Sequence, residues 1–231
     1  MPGAFELIES LDARASLEVL AELRGAEKGG RLASVTLMRG EAWGLRREAD
    51  AALVAIEEGF VVISTDTCNG NGQQAGRRVV VATGQGGMLL VPPGPGERIE
   101  ALTPSRIQIV SADALKVLLS IPSAAESITD AFAEALRDRQ TTIRNCAYVR
   151  HSERVFEKLL QLARTYGHVV PDGVRIDFPL THQLLADMVG SARETVSLAL
   201  SDLVGEERLH RQRHRYVLKI APNELFSTLQ P

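Results

Sequence analysis

Cysteine is nearly absent from this sequence. Two thiols, Cys68 and Cys146, lie far apart in 231 residues and form no Cys-x-x-Cys pair. That spacing excludes a disulfide framework and a cysteine-built zinc site, and leaves too few thiolates for an iron–sulfur cluster. Aromatic residues are scarce at 4%, within an ordinary apolar fraction of 45%. No stretch approaches the roughly 20 apolar residues of a membrane span. The opening Met-Pro-Gly-Ala-Phe-Glu-Leu lacks the basic and apolar regions of a secretion signal. These absences lead to the expectation of a soluble, cytoplasmic protein with no membrane partner, no cofactor and no metal. Catalytic patterns are missing as well. No Ser-His-Asp or paired-carboxylate arrangement emerges from the spacing. The glycine clusters Gly84-Gln-Gly-Gly87 and Gly94-Pro-Gly96 lack the Lys-Ser/Thr and the strand–helix context of a phosphate loop. An enzyme is not expected.

Positive charge is also lacking in bulk. The formal net charge is −3, which argues against non-specific attraction to nucleic acid. The distribution says more. All five histidines follow residue 150, and Arg208, Arg211, Arg213, Arg215 and Lys219 form a basic cluster near the end of the sequence. Such a run is ordinarily a solvated surface. Beside a DNA-reading element it becomes a phosphate contact, because the phosphate backbone supplies much of DNA affinity.

What is present divides the chain in three. Residues 5 to 24 read as a helix, with Phe5, Leu7, Ile8, Leu11, Leu17, Leu20 and Leu23 at helical spacing. Between residues 30 and 120, short β-rich stretches alternate with Gly-rich punctuation: Leu32–Leu37, Ala52–Ile56, Phe60–Thr65, Val79–Thr83, Met88–Val91 and Arg106–Val110. Asn69-Gly70 and Asn71-Gly72 are hairpin-turn signals. Many short strands with regular turns predict a small antiparallel barrel or sandwich. From Ser123 to Val149 a long helix carries Ala124, Ile128, Ala131, Phe132, Ala135, Leu136, Ile143, Cys146 and Ala147 in one stripe, interrupted by Arg139 and Gln140. It reads either as an ordinary packed helix or as a two-helix dimer seam whose polar break fixes register. A further helix runs from Arg154 to about Tyr166, and Val174–Phe178 reads as a short strand. The boundaries expected are a sensor-like domain at 1–121, a helix and hinge at 122–150, and a C-terminal domain at 151–231.

Residues 181 to 203 are the most informative stretch. Leu180, Leu184, Leu185, Met188 and Val189 make one apolar helical face; Val196, Ala199, Leu200 and Leu203 make another. Gly190-Ser191-Ala192 between them is long enough only for a sharp corner. That is the pattern of a helix-turn-helix, whose second helix enters the major groove of DNA. Its exposed side begins Arg193-Glu194-Thr195, side chains suited to bases and phosphates. After Gly205, Arg208–Arg211 and Arg215–Ile220 read as a hairpin, which makes the domain a winged helix. His210 and His214 are four apart, a metal spacing on a helix but not on a hairpin, and read as part of the basic wing.

In the order of its parts the chain resembles the Crp/Fnr superfamily of bacterial transcription regulators. The resemblance rests on Val189-Gly-Ser-Ala-Arg-Glu-Thr-Val196, on Asp177-Phe-Pro-Leu-Thr-His-Gln183 before it, and more loosely on Ala52–Val62 with Gly59 at a turn. It implies an α+β fold: an N-terminal antiparallel β-roll (a cyclic-nucleotide-binding-like jelly roll), a long dimerisation helix and a C-terminal winged helix-turn-helix. It further implies a homodimer on a palindromic operator in double-stranded DNA, with RNA polymerase as a partner. Carried over, Arg193 meets guanine and Glu194 cytosine; Thr195, Ser191 and Thr181 hold phosphates, with Ser197 beside them on the DNA side. His182 stands where relatives carry a basic phosphate contact, and Arg213 and Arg215 of the wing meet phosphate or enter the minor groove. At position 198 the best-known member has a second base-reading Arg, whereas this chain has Leu198. Leu198 could touch a thymine methyl or leave that position unread.

The sensor half departs further. Cyclic-nucleotide binders in the family carry Gly-Glu-Leu and, later, Arg-Ser/Thr-Ala. Here Gly86–Ala101 has no Glu after its first glycines, and Arg98 is followed by Ile99-Glu100. Arg98 remains the one loose candidate for an anionic ligand, and control by cyclic AMP is not expected. The alternative is a small-molecule or haem-dependent sensor switched by an unidentified ligand in the β-roll. For haem, that half offers no histidine and only Cys68. A further class, an enzyme or carrier that merely contains a winged helix, remains to be separated by experiment.

Overall fold

The computed structural model describes residues 32–44, 51–68, 74–145, 150–212 and 215–227. The expected helix at 5–24, both Asn-Gly turns, Cys146, Ala147, Arg213 and His214 lie outside them. Two compact units divide within the long helix, between Arg139 and Gln140.

The first unit is an antiparallel β-roll. Its strands are β1 Leu32–Leu37, β2 Ala42–Trp43, β3 Ala51–Glu58, β4 Phe60–Cys68, β5 Gln74–Gln85, β6 Leu89–Leu90, β7 Glu97–Ala101 and β8 Ser105–Ser111. They form two sheets, ordered β1-β8-β3-β6 and β2-β7-β4-β5. Period-two alternation aims Leu37, Val54, Ile56, Leu90, Ile107 and Ile109 of the first sheet at Val61, Ile63, Ile99 and Ala101 of the second, in one apolar cluster. The opposite face of the first sheet carries Leu53, Ala55 and Val110. It packs under α1 (Ala112–Leu119) and the start of α2 (Pro122–Asn145) through Ala114, Leu118, Ala124 and Ile128. The β3–β4 corner turns at Gly59, whose φ of 88° falls in the left-handed region. A Cβ there would run into Ser105 Oγ and the carbonyl of Pro104, so only glycine fits.

The expected strands are all present, β1 with the expected bounds. Three elements of this unit escaped the sequence reading. β2 has two residues. β7 carries Glu97, Arg98 and Glu100 on alternate or terminal positions and reads as a polar loop. The short α1 was absorbed into the approach to α2, although Ser111 caps it by accepting from Ala114 N at 3.2 Å.

The second unit is a winged helix. It comprises α3 His151–Tyr166, β9 Gly167–Val170, β10 Gly173–Ile176, α4 His182–Val189, α5 Arg193–Gly205, β11 Leu209–Gln212, β12 Arg215–Leu218 and α6 Pro222–Ser227. The sheet order is β11-β12-β10-β9, antiparallel throughout, and the wing register runs from Leu209 opposite Leu218 to Gln212 opposite Arg215. Val155, Leu159, Leu162, Ala163 and Tyr166 of α3 form the floor, and Tyr166 lies against Phe178 with ring centroids 4.7 Å apart.

Candidate nucleic-acid interface

α4 begins at Thr181, whose Oγ1 accepts from Leu184 N at 3.1 Å, and ends at Gly190 in the left-handed conformation, φ 64°. These are start and stop signals with a mechanism: a hydroxyl at the N-cap and a glycine just past the last turn. The Ser191 amide donates back to Ala186 O at 3.0 Å, and Ala192, in extended conformation, opens α5. The corner between the helices is therefore three residues long, as the spacing predicts. Leu184, Leu185, Met188 and Val189 of α4 are buried, as are Val196, Ala199, Leu200 and Leu203 of α5. Each fully buried Leu or Val contributes on the order of 1.5–3 kcal/mol, so both helices are held by their apolar faces and α5 has one side left over.

That side carries Arg193 and Glu194, both exposed, and Leu198, which is 69% exposed. Glu194 in the first turn also suits the positive end of the helix dipole. Thr195 is half-buried. Ser197 and Ser201 are folded back on their own helix, donating to Arg193 O at 2.9 Å and Ser197 O at 3.0 Å.

His182 opens α4, with Nδ1 2.8 Å from Ser197 Oγ. The one hydroxyl hydrogen of Ser197 goes to Arg193 O, so Nδ1–H donates to Ser197. Nε2 of the neutral ring is then an acceptor, and only imidazolium can donate from it to a phosphate. Burial, and then the charges of Arg211 and Arg193, hold the His182 pKa below the ordinary histidine value. Arg211 of β11 also bears on Tyr216 of β12, whose pKa burial raises. Arg211 is exposed and makes no ion pair among the described residues. In the sequence it was one of a basic cluster, indistinguishable by spacing from its neighbours.

Other members of that cluster are spoken for. Arg208 reaches Glu153 at 3.0 Å and Glu206 at 3.4 Å, and its guanidinium lies 3.7 Å from the Phe156 ring centroid. Lys219 lies 3.8 Å from Glu207. Arg215, expected at phosphate, donates to the backbone carbonyl of Asp177 and is half-buried. Ser191, also expected at phosphate, is 8% exposed, with its hydroxyl 3.1 Å from His151 Nδ1. Position in the sequence did not reveal that these groups also serve the domain's own packing. Thr181 is exposed, and its cap bond uses the oxygen as acceptor, leaving the O–H to donate.

In the β-roll, Arg98 does not face the interior. It alternates with Ile99 and Ala101 on β7 and makes a two-armed pair with Asp66, at 2.8 and 3.2 Å. Hydrogen bonding to Asp66 is the main cause of its raised pKa. Arg98, the loose candidate for an anion, is thus engaged by Asp66.

The family model described as the Crp-like helix-turn-helix domain matches residues 153–223. Residues 153–223 of the chain thus carry a domain of the Crp-like helix-turn-helix family. The curated relatives it matches are transcription regulators. Among curated relatives, the global nitrogen regulator of Synechococcus elongatus is 29% identical over 130 residues, covering 55% of this chain and 59% of that protein. The CRP-like cAMP-activated global transcriptional regulator of Mycobacterium tuberculosis is 31% identical over 120 residues, covering 51% and 53%. The chain thus spans little more than half the length of these curated relatives. For the fold, a CooA mutant from Carboxydothermus hydrogenoformans superposes with a TM-score of 0.71 at 17% identity, covering 86% of this chain and 88% of the other.

Proposed function

We propose that the protein is a sequence-specific transcription regulator that binds a palindromic promoter site as a homodimer and is not controlled by cyclic AMP. One observation carries the reading: a helix held by its apolar face presents Arg193 and Glu194, both exposed, at its first turn. Arg193 supplies a two-armed donor for guanine O6 and N7; Glu194 accepts from cytosine N4. His182, Arg211 and Thr181 border that turn as phosphate contacts, and Arg213, outside the described residues, is proposed as a further one.

Dimerisation is supported by α2, where Leu136 is 61% exposed in a stripe with Phe132 and Ala135. Independence from cyclic AMP is supported by the β-roll. Its interior is filled by aliphatic side chains, and Arg98 is paired with Asp66 on the other face. A cyclic phosphate would be buried there without a free cation from Arg98. The roll then serves as a body for dimerisation and partner contact, RNA polymerase being the partner such a regulator works with. Among the described residues no helix is long and apolar enough to cross a membrane, consistent with work on DNA in the cytoplasm.

The experiment is selection of bound sequences from random DNA by the full chain, with and without cell extract and with and without cyclic AMP. The expected result is one palindrome, recovered under all conditions. Recovery of no sequence preference in any of them would overturn the reading; a palindrome recovered only with cyclic AMP would overturn the claim of independence.

A further inference from the structure

The outward side of α5 holds one side chain that the contacts above leave unexplained. Leu198 lies one turn beyond Glu194 on the same face, and at 69% exposure it is the most exposed of the large apolar side chains among the described residues. Its polar neighbours on that side do not reach outward: the hydroxyls of Ser197 and Ser201 are bonded to carbonyls of α5 itself. Leu198 is therefore the side chain that projects from the second turn of the helix. An isobutyl group makes no hydrogen bond. Against guanine O6 and N7 or cytosine N4 it would strip water from those groups and return nothing. The single apolar feature of a major-groove base edge is the C5-methyl of thymine.

We propose that Leu198 is a specificity-determining residue that selects thymine in each half-site by packing on its C5-methyl. This rests on α5 being the recognition helix. Four residues of α-helix advance about 6 Å and a base step about 3.4 Å. The selected A·T pair therefore lies one to two base pairs from the pair read by Glu194. The half-site is accordingly mixed, with one step read by charge and hydrogen bonds through Arg193 and Glu194 and an adjoining step read by methyl contact.

The test replaces that thymine by deoxyuridine, which removes one methyl and keeps the pairing. In the operator recovered by selection, each thymine within two base pairs of the Arg193/Glu194 step is replaced in turn in both half-sites, and binding of the full-length protein is measured. Burial of one methyl corresponds to about a fourfold change in affinity per half-site. The wild-type protein is expected to lose that factor at one position. Leu198→Ala is expected to bind the thymine operator more weakly and to be indifferent to the replacement. Leu198→Arg is expected to shift selection at that position toward guanine. Equal binding of thymine and uracil operators by the wild type would overturn the proposal, as would the same uracil penalty in Leu198→Ala, which would place the effect in DNA shape. Neither result touches the reading of α5, which fails separately if Arg193→Ala leaves operator binding intact.

Discussion

The β-roll and the winged helix handle arginine differently. In the roll, Arg98 is matched to Asp66, and Arg106 to Glu57 and Glu58, on faces turned away from an interior of close-packed aliphatics. In the winged helix, Arg208 and Arg215 are likewise consumed by the domain, yet Arg193 and Arg211 remain exposed without ion pairs among the described residues. Two units of one chain need not use charge in the same way. The paired arginines serve their own unit, whereas Arg193 and Arg211 stay available to an anion beside α5.

The comparison can be broken at several points. The largest effect is expected in the winged-helix core. Leu203 is fully buried, and Leu203→Ala should cost about 2–5 kcal/mol, read as an earlier unfolding transition together with loss of operator binding. An unchanged transition would mean that α5 is not held by its apolar face. Gly190→Val comes next. A left-handed conformation costs an L-residue roughly 1–2 kcal/mol, and a branched one more, so the corner should loosen and DNA affinity fall. A variant of wild-type stability would show that the turn can re-form without glycine. On the roll side, Arg98→Met removes a partly exposed pair worth at most about 1 kcal/mol. Operator binding should stay as it was, and cyclic AMP should leave the melting temperature unmoved in both wild type and variant. A cyclic-AMP shift that vanishes in Arg98→Met would return the ligand to the roll.

The smallest effect belongs to His182. Its folded-state pKa lies below its unfolded value, so the unfolded chain takes up the proton first. Its contribution is fully present above about pH 6.5 and is lost as pH falls through that value toward the folded pKa. DNA acts in the opposite sense, since a phosphate favours the imidazolium that can donate from Nε2. Acidification should therefore lower the unfolding midpoint while tightening operator binding, and His182→Gln should flatten both slopes. Parallel slopes in wild type and variant would remove His182 from the interface.

Much of this was legible in the residues. Gly190 and the two apolar faces specify the helix-turn-helix through local spacing alone, and β1, β3, β4, β5, β6 and β8 were traced where aliphatic runs had polar punctuation. β7 was hidden because its charged residues pair with a strand 32 positions away in sequence, Arg98 with Asp66, and a spacing rule cannot see such a partner. The interface divided in the same way. Arg193, Glu194 and Leu198 followed from the helical period. The inward turn of Ser191 toward His151 and of Arg215 toward the Asp177 carbonyl depends on contacts across about 40 residues. The standing of Arg211 near His182 likewise depends on a partner distant in sequence. Charge type and proximity in sequence marked the region; tertiary partners decided which of its members stay available.

The central claim is that the first turn of α5 reads bases. It is tested most directly by measuring the affinity of Arg193→Ala for the selected operator and for unrelated DNA at one salt concentration. A lost two-armed base contact is worth about 1–3 kcal/mol. Operator affinity should therefore fall roughly 5- to 150-fold per half-site while binding to unrelated DNA changes little and the unfolding transition is retained. Equal loss on both DNAs would make Arg193 a phosphate contact, and no loss on either would contradict the account.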